Sequence, residues 1–182
     1  MSSPRLRRLM ADYDLVRDEF TGSRYIQVQA VSGNPPELYA VTFKLRGLRW
    51  EAQRNCPVEQ GLHKAEIYLG MDYPREKPKC VMRTEIFHPN FGSYICIGDH
   101  WAAGESLVDV IVQIGDMIQF KEYNVKSPLN AVAAQWTMQH EHLLPVGNVE
   151  LRQGEPQIEL SLSGEEKKPP AAEEDEVEIT LG

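Results

Sequence analysis

An asparagine and a cysteine six positions apart are the residues of this chain best equipped for chemistry. Asn90 ends the tripeptide His88-Pro89-Asn90, and Cys96 follows it within one short loop. A thiol is a soft nucleophile that can form covalent acyl intermediates. A carboxamide can donate hydrogen bonds to the oxyanion that develops during acyl transfer. The pairing therefore indicates acyl transfer through a thioester.

Both residues also have plain structural explanations. A free cysteine is often a small buried hydrophobe, and asparagine is favoured in turns that follow a proline. Of the other two cysteines, Cys80 stands beside Val81 in a predicted strand and is expected in the core. Cys56 falls in a polar loop predicted over residues 53–60 and is expected to be an idle surface thiol. Neither follows the motif that precedes Cys96, so Cys96 is the predicted nucleophile.

Length and charge limit what the chain as a whole can do. Its 182 residues are 42% hydrophobic, enough for one globular core. The net charge is -8, and residues 148–182 carry most of it, with ten acidic residues against three basic ones. We therefore expect a catalytic domain over residues 1–147 and a disordered, flexible acidic tail over residues 148–182. A clustered excess of Lys and Arg, the mark of a nucleic-acid surface, is missing from the sequence.

Cysteine usage and hydropathy indicate the compartment. The three cysteines are an odd number, no apolar leader opens the sequence, and no apolar run reaches bilayer length. We expect a cytoplasmic protein in a reducing environment, with no membrane partner.

The predicted order of secondary structure is a helix, then strands, then helices. Ser3 and Pro4 form a typical helix start, and apolar residues recur at helical spacing until Gly22. Those apolar positions are Leu6, Leu9, Met10, Tyr13 and Val16. Period-2 alternation then predicts strands near residues 25–30, 39–45, 63–69 and 80–82. We expect the α+β class, with these four strands in an antiparallel meander.

Proline and capping signals organise the rest of the chain. Two prolines within residues 72–78 prevent ladder bonding and predict an ordered, extended loop before the last strand. Ser106 and Asp109 form a capping box ahead of a helix expected to pack centrally on the sheet. The apolar face of that helix comprises Leu107, Val110, Ile111, Ile114, Met117 and Ile118. Ser127 followed by Pro128 repeats the cap-and-proline start and predicts a last helix.

This order of elements and motifs resembles the ubiquitin-conjugating enzyme family over roughly residues 4–144. The motifs that carry the resemblance are Asp72-Tyr73-Pro74, His88-Pro89-Asn90, Ile95-Cys96, Trp101 and Ser127-Pro128-Leu129-Asn130. A tripeptide is weak alone, but these motifs in this order are specific. The resemblance implies a UBC-like fold and a thioester transferase. Such an enzyme receives a ubiquitin-like modifier on its cysteine and passes it to an amine, here expected to be a protein lysine.

The resemblance assigns the catalytic motif to Cys96, Asn90, Ser127 and His88. Asn90 would hold the active-site loop and stabilise the oxyanion formed when a lysine amine attacks the thioester. His88 would be a structural residue that bonds the local backbone rather than a proton shuttle. Ser127 matches a position thought to orient or deprotonate the incoming lysine, and a helix N-cap explains it equally well. Asn124 matches a further asparagine near the cleft.

Partners follow from the same resemblance. The first helix of the family docks on the activating enzyme through basic residues, which selects Arg5 and Arg8, although charges beside an apolar stripe are usually a solvated face. The expected partners are the activating enzyme, a ubiquitin-like protein and a protein substrate. No cofactor or metal is expected, because His100, four residues after Cys96, has no Cys or His partner at metal spacing. Asp99 is an alternative local acceptor for the amine.

Several positions depart from the family. The loop from Asn90 to Cys96 is about two residues shorter than usual. Arg75 stands where most members carry an exposed aromatic residue used by ring-type ligases, and Ala102 follows Trp101 where a Trp-Ser-Pro-like contact is usual. These losses put a conventional ring-type ligase in doubt. They fit a divergent member of bacterial or archaeal type that works beside its own modifier and activating enzyme.

Two other functions are weaker alternatives. A non-catalytic binding module of the same fold would hold a ubiquitin-like protein or another partner without carrying it, but modules of that type lack the cysteine that this chain has at Cys96. A thiol hydrolase would need a histidine base, and no evident candidate accompanies the cysteine.

Overall fold

A computed structural model describes residues 3–98 and 101–152 of the chain. Its helices are α1 (Pro4–Phe20), α2 (Leu107–Ile118) and α3 (Ala131–Gln139), and a short 3-10 helix (Glu141–Leu143) follows α3. Its strands are β1 (Ile26–Gly33), β2 (Pro36–Phe43), β3 (Gly47–Glu51), β4 (Cys56–Gln60), β5 (His63–Tyr68) and β6 (Lys79–Met82). The predicted α+β class is confirmed.

Two of the three helices begin where their capping signals predict. The Ser3 side chain accepts a hydrogen bond from the Leu6 amide at the start of α1. Ser106 and Asp109 form a reciprocal capping box at the start of α2. In both cases the signal lies within one turn of sequence, so it operates regardless of the distant fold.

The third helix begins three residues later than predicted. Asn130, not Ser127, caps α3, because its side chain accepts a hydrogen bond from the Ala133 amide. The Asn124 side chain accepts the Ser127 amide instead and holds that residue in a turn. The interpretation of Ser127 as a helix cap was therefore wrong, and its hydroxyl has no capping duty.

The main sheet contains the four predicted strands in the order β1-β2-β5-β6, all antiparallel. A separate hairpin of β3 and β4 lies outside the prediction. Each of its strands has five residues, and the alternation of Leu48 and Trp50 with Arg49 and Glu51 was a strand signal that the prediction overlooked. Cys56 is the first residue of β4 and half-buried, so its placement in a polar loop was wrong.

Helix α2 forms the centre of the core, as predicted. All six predicted apolar positions of this helix are buried. They belong to one cluster with the inward-facing residues of β2 and β5, which include Val41, Phe43 and Ile67. The capping box and the wide apolar face together explain why α2 crosses the sheet at this place.

Helix α1 is rotated from its predicted orientation. It buries Leu9, Val16 and Phe20, whereas Met10 and Tyr13, both predicted to face the core, are exposed. Asp12 is buried in their place, with a relative exposure of 1%. A charged residue enters the interior only when its charge is paired and hydrogen-bonded.

Asp12 is the centre of what we call the Asp12 network, which also contains Arg8, Tyr73 and the Leu107 amide. The Arg8 guanidinium lies 2.7 Å from Asp12 Oδ2, and the Tyr73 hydroxyl donates to the same oxygen at 2.6 Å. The Leu107 amide donates to Asp12 Oδ1 at 3.1 Å. The network ties α1 to the loop over residues 72–78 and to the first residue of α2.

Residues 147–152, which we call the C-terminal strap, run back along α2. The Gly147 amide donates to the Gln119 backbone, and the Gln119 side chain bonds both the amide and the carbonyl of Val149. Leu151, 5% exposed, packs on Gly115, where a Cβ would overlap the leucine. Arg152 pairs with Asp109. The packed chain therefore continues past the boundary predicted at residue 147.

The flexible tail was predicted over residues 148–182, of which residues 148–152 belong to the packed strap and residues 153–182 lie outside the described residues. Within residues 3–98 and 101–152, no helix combines the length and apolar character that membrane spanning requires.

Candidate active site

Cys96 lies in a surface cleft of about 530 Å³ between two loops, which we call the Cys96 cleft. The first loop runs over residues 90–98 and carries the thiol, and the second runs over residues 120–130 and forms the opposite wall. The residues that line the cleft include Asn90, Tyr94, Cys96, Gln113, Glu122, Asn124 and Ser127. The structure thus brings Cys96, Asn90, Asn124 and Ser127 into one place.

Backbone bonds on both sides of the nucleophile hold the first loop. The Cys96 amide donates to the Asn90 carbonyl at 3.0 Å, and the Ile95 amide donates to the Cys80 carbonyl of β6 at 2.8 Å. Ile95 and Ile97 are buried, while Cys96 between them is half-buried and lines the cleft. Apolar neighbours therefore anchor the loop and leave the thiol at the surface.

Asn90 joins the two walls of the cleft through its carboxamide. Its Nδ2 donates to the Asn124 carbonyl at 2.9 Å, and its Oδ1 accepts from the Asn124 amide at 2.7 Å. We call this pair of bonds the Asn90 bridge. Asn90 is only 4% exposed, so the amide group is fixed in direction. A carboxamide nitrogen has two hydrogens, and the bridge uses one of them.

The second wall is a turn built on the other asparagine. The Asn124 side chain accepts from the Lys126 and Ser127 amides at 2.9 and 3.3 Å. Ser127 is exposed on the cleft, and Glu122 lines the same cleft, a residue that the sequence analysis missed. The available signal was an acidic residue five positions before Ser127 in a segment already assigned to the cleft.

His88 lies behind the cleft rather than in it. It is 0% exposed, packs between the rings of Phe91 and Phe120, and accepts the Asn90 amide on Nδ1 at 3.1 Å. Burial lowers the pKa of His88 to about 3, and the Glu122 backbone opposes this shift. A ring that stays neutral and sealed at physiological pH is suited to holding the Asn90 backbone, not to exchanging protons with a substrate.

The other two cysteines differ from Cys96 in their surroundings. Burial raises the pKa of the Cys80 thiol to about 12, with the Lys77 charge opposing the shift, so the thiolate is scarce at neutral pH. Cys56 is half-buried on β4 and does not line the Cys96 cleft. Of the three thiols, Cys96 is the one that shares a cleft with amide and hydroxyl groups.

Arg5 and Arg8 have partners within the chain itself. Arg5 pairs with Glu37 at 2.8 Å and donates to the carbonyls of Leu69 and Gly70. Arg8 belongs to the Asp12 network and also bonds the carbonyls of Ala103 and Glu105. Both guanidinium groups are therefore half-buried anchors of α1, which the sequence did not predict. A docking role for them stays a prediction.

Arg75, which departs from the family, and Trp101, which matches it, both make structural contacts. Arg75 is exposed and pairs with Asp72 at 2.8 Å. The Trp101 indole donates to the Pro74 carbonyl at 2.7 Å, so this tryptophan braces the loop over residues 72–78. Asp99 and His100, the alternatives for an amine acceptor and a metal ligand, lie outside the described residues.

Comparisons with known proteins agree with this arrangement. A family model described as "Ubiquitin-conjugating enzyme" matches residues 25–144. The chain is 28% identical over 145 residues to ubiquitin-conjugating enzyme E2 1 of Caenorhabditis elegans, which covers 74% of this chain and 67% of that protein. It is 25% identical over 150 residues to ubiquitin-conjugating enzyme E2 2 of Candida glabrata, covering 78% and 80%.

A solved structure supports the architecture independently of sequence. A Plasmodium yoelii chain assigned to the ubiquitin conjugating enzymes superimposes with a TM-score of 0.58, over 80% of this chain and 90% of that one. The identity is 18%, so this likeness shows the fold alone. It confirms the expected UBC-like architecture.

Proposed function

Because this chain belongs to the ubiquitin-conjugating enzyme family, we propose that Cys96 carries a ubiquitin-like modifier as a thioester and passes it to a protein lysine. The observation that carries the proposal is the position of Cys96 in a cleft opposite the Asn90 bridge, while Cys80 is buried and Cys56 is elsewhere. The relatives' names as ubiquitin-conjugating enzymes support the same reaction class.

The proposed transfer has two balanced steps. In loading, the Cys96 thiolate attacks the thioester of a charged activating enzyme, a new C–S bond forms, and the activating enzyme's thiolate leaves. In discharge, a lysine amine attacks the Cys96 thioester, a C–N bond forms, the C–S bond breaks, and the amine loses a proton. Both steps pass through a tetrahedral oxyanion, but a thiolate nucleophile needs no dedicated base, whereas an attacking amine also has a proton to remove.

The Asn90 bridge supplies what the discharge step needs. The hydrogen of Asn90 Nδ2 that the bridge does not use is the donor proposed for the oxyanion. One such donor is typically worth about a hundred- to a thousandfold in rate. The bridge also fixes the direction of that donor, so no reorganisation is needed when the charge develops.

Two side chains of the second wall are proposed to receive the amine. Ser127 is free of capping duty and offers a hydroxyl acceptor, and Glu122 adds a carboxylate to the same cleft. The Asn124 turn fixes the backbone of this wall. We propose Ser127 as the residue that orients the lysine, with Glu122 as a second acceptor for its proton.

The proposed partners are an activating enzyme, a ubiquitin-like protein and a protein substrate, and the proposed compartment is the cytoplasm. Docking of the activating enzyme on α1 is tested with Arg5→Gln and Arg8→Gln, with stability measured for each variant. Slower loading with unchanged stability would support docking. Loading that falls only as stability falls would leave these residues their anchoring role.

The decisive experiment supplies the purified chain with modifier, activating enzyme and ATP. A thiol-sensitive adduct should form, and Cys96→Ala should abolish it, while Cys56→Ser and Cys80→Ala should retain it. An adduct that persists in Cys96→Ala would overturn the assignment. A modifier that binds reversibly, without any adduct in the unaltered chain, would favour the non-catalytic binding module instead.

A further inference from the structure

An apolar groove of about 690 Å³ lies on the opposite side of the nucleophile loop from the Cys96 cleft. Its apolar lining includes Val81 of β6, Ile95, Ile97 and the ring of Trp101. Arg75, Lys77 and Lys79 line it as well, with Glu76 as the acidic exception. An apolar groove with a basic rim suits an apolar segment that carries acidic residues.

The groove is continuous with two regions already described. Tyr94 lines both the groove and the Cys96 cleft, so it forms the wall between them. Ile97 lines the groove and also a shallow depression beside α2 that contains Arg152. The strap therefore ends at a depression that shares Ile97 with the groove.

The sequence that follows Arg152 has the complementary chemistry. Residues 153–182 contain nine acidic residues against two basic ones. The first apolar island, Ile158-Glu159-Leu160-Ser161-Leu162, alternates apolar and polar residues. As an extended segment it would present three apolar side chains on one face and Glu159 on the other.

A short connecting chain joins Arg152 to the first apolar island. The six steps from Arg152 to Ile158 can span up to about 20 Å when extended. The second apolar island, residues 177–181, would close a longer loop at a larger entropic cost. Among the two islands, the first is the better occupant.

We infer that the apolar groove binds the chain's own residues 158–162 in extended form, with their acidic neighbours against the basic rim. The contact covers Trp101 and Ile97 and places carboxylates beside Tyr94, at the edge of the Cys96 cleft. The inference concerns binding within the chain and does not rest on the proposed function.

The test places a nitroxide label next to the island in the full chain. Ser163→Cys carries the label, Cys56→Ser and Cys96→Ser remove the accessible thiols, and buried Cys80 remains. The isotope-labelled chain is diluted in excess unlabelled chain, so that only contacts within one molecule broaden signals. We expect strong broadening of the Val81, Ile95 and Ile97 amides and of the Trp101 indole, with little effect on β1.

Matched variants identify what produces the broadening. Ile158→Ser with Leu160→Ser and Leu162→Ser should abolish it, and the same change at Val177, Ile179 and Leu181 should preserve it. Arg75→Glu with Lys79→Glu should weaken it, and Arg24→Glu with Arg54→Glu, outside the groove, should not. Lys77 is left intact because it bonds the Gly98 carbonyl. Salt at about 1 M, where the Debye length is about 3 Å, should also weaken it.

Each contrary result would overturn the inference. Absence of broadening, or broadening centred on another surface, would show that residues 158–162 do not occupy the groove. Broadening that disappears on dilution with unlabelled chain would make a second copy the occupant. If the two serine triples reduced the broadening equally, the acidic tail would bind without preference for residues 158–162. If Arg75→Glu with Lys79→Glu left the broadening unchanged, the basic rim would not bind the acidic residues.

Discussion

The Asp12 network and the Asn90 bridge both join parts of the chain that are far apart in sequence, but they differ in what they leave available. In the Asp12 network each carboxylate oxygen has a protein donor, and the centre is closed to solvent. The Asn90 bridge uses a neutral amide, leaves one Nδ2 hydrogen unused by the bridge, and stands at the wall of a cleft. The first arrangement fits a purely structural duty, and the second fits a structural duty combined with a chemical one.

The Asp12 network contains a buried charge but has no proposed role in the transfer reaction. A buried charge stabilises a fold only when it is completely satisfied, so no donor can be spared for a substrate. A neutral amide can be buried with one hydrogen-bonding group unpaired, and the free-energy cost is smaller than for a charged group. The structure pairs both carboxylate oxygens of Asp12, whereas Asn90 keeps one amide hydrogen that the bridge does not use.

Asp12→Ala should have the largest effect on stability. It leaves the Arg8 guanidinium and the Leu107 amide without their carboxylate, and breaking a buried pair typically costs about 3–5 kcal/mol. The measurement is the unfolding free energy from urea denaturation. Asp14→Ala on the same helix removes only an exposed ion pair and should change it by no more than about 0.5 kcal/mol. Similar losses for both variants would refute the special status of the Asp12 network.

Asn90→Ala should separate the two duties of the bridge. Loading of the thioester should persist, while discharge to free lysine should slow by about a hundred- to a thousandfold because the oxyanion donor is lost. Asn124→Ala keeps the backbone bonds of the bridge and removes only the turn bonds, so it should slow discharge much less. Equal slowing in the two variants would leave Asn90 with the structural duty alone.

Ending the chain at Gly147 should destabilise it, because residues 148–152 were predicted to belong to a flexible tail but are packed on α2 and Gln119. The truncation exposes the surface covered by Leu151, and burial of a leucine side chain is worth about 1.5–3 kcal/mol. A chain ending at Arg152 keeps the strap and is the control. Equal melting temperatures for these two truncated chains would show that the strap adds nothing.

The pH dependence of stability should reflect His88, which lies behind the Asn90 bridge and is neutral in the folded protein. Because the pKa of His88 is lowered to about 3, the unfolded state binds more protons between about pH 3 and 6.5. Stability should be fully present above about pH 6.5 and fall by up to about 1.4 kcal/mol per pH unit below it from this residue. The His88 ring signals, followed by NMR, should not titrate between pH 5 and 8. Titration in that range would mean that the ring is accessible.

Ser127→Ala should have the smallest effect. Loss of one neutral acceptor for the amine is worth about 1 kcal/mol, which is a several-fold reduction in discharge with unchanged loading and unchanged stability. Glu122→Gln in the same background tests whether the carboxylate compensates. A stability loss in Ser127→Ala would restore a structural duty that the Asn130 cap now makes unnecessary.

Local signals in the sequence were sufficient for much of the fold. The Ser3 cap, the capping box of Ser106 and Asp109, and the apolar face of α2 depend on residues within a few turns of one another, so they can be recognised without tertiary information. The four strands of the main sheet were recognisable for the same reason, because alternation has a period of two residues. The β3–β4 hairpin was missed, although Leu48-Arg49-Trp50-Glu51 in β3 alternates apolar and polar residues.

Only part of the candidate site could likewise be recognised from the sequence. The pairing of Cys96 with Asn90 was visible because one short loop carries both. The Asn90 bridge to Asn124 joins residues 34 positions apart, and no local pattern predicts which backbone groups a carboxamide will meet. Ser127 was ambiguous because its cap competes with that of Asn130, whose amide donates to the Pro89 carbonyl, a group distant in sequence.

The sequence by itself determined the strands of the main sheet, the starts of α1 and α2 and the family, and it predicted Cys96 as the nucleophile, because these depend on residue types at short spacing. Only the tertiary structure decided that Asp12 is buried, that Arg5 and Arg8 are anchors, and that the strap extends the packed chain to Leu151. Each of these outcomes depends on whether a polar or apolar side chain finds a partner that is distant in sequence. Burying a charged side chain such as Asp12, or packing a terminal segment such as the strap, is favourable only when the structure supplies that partner.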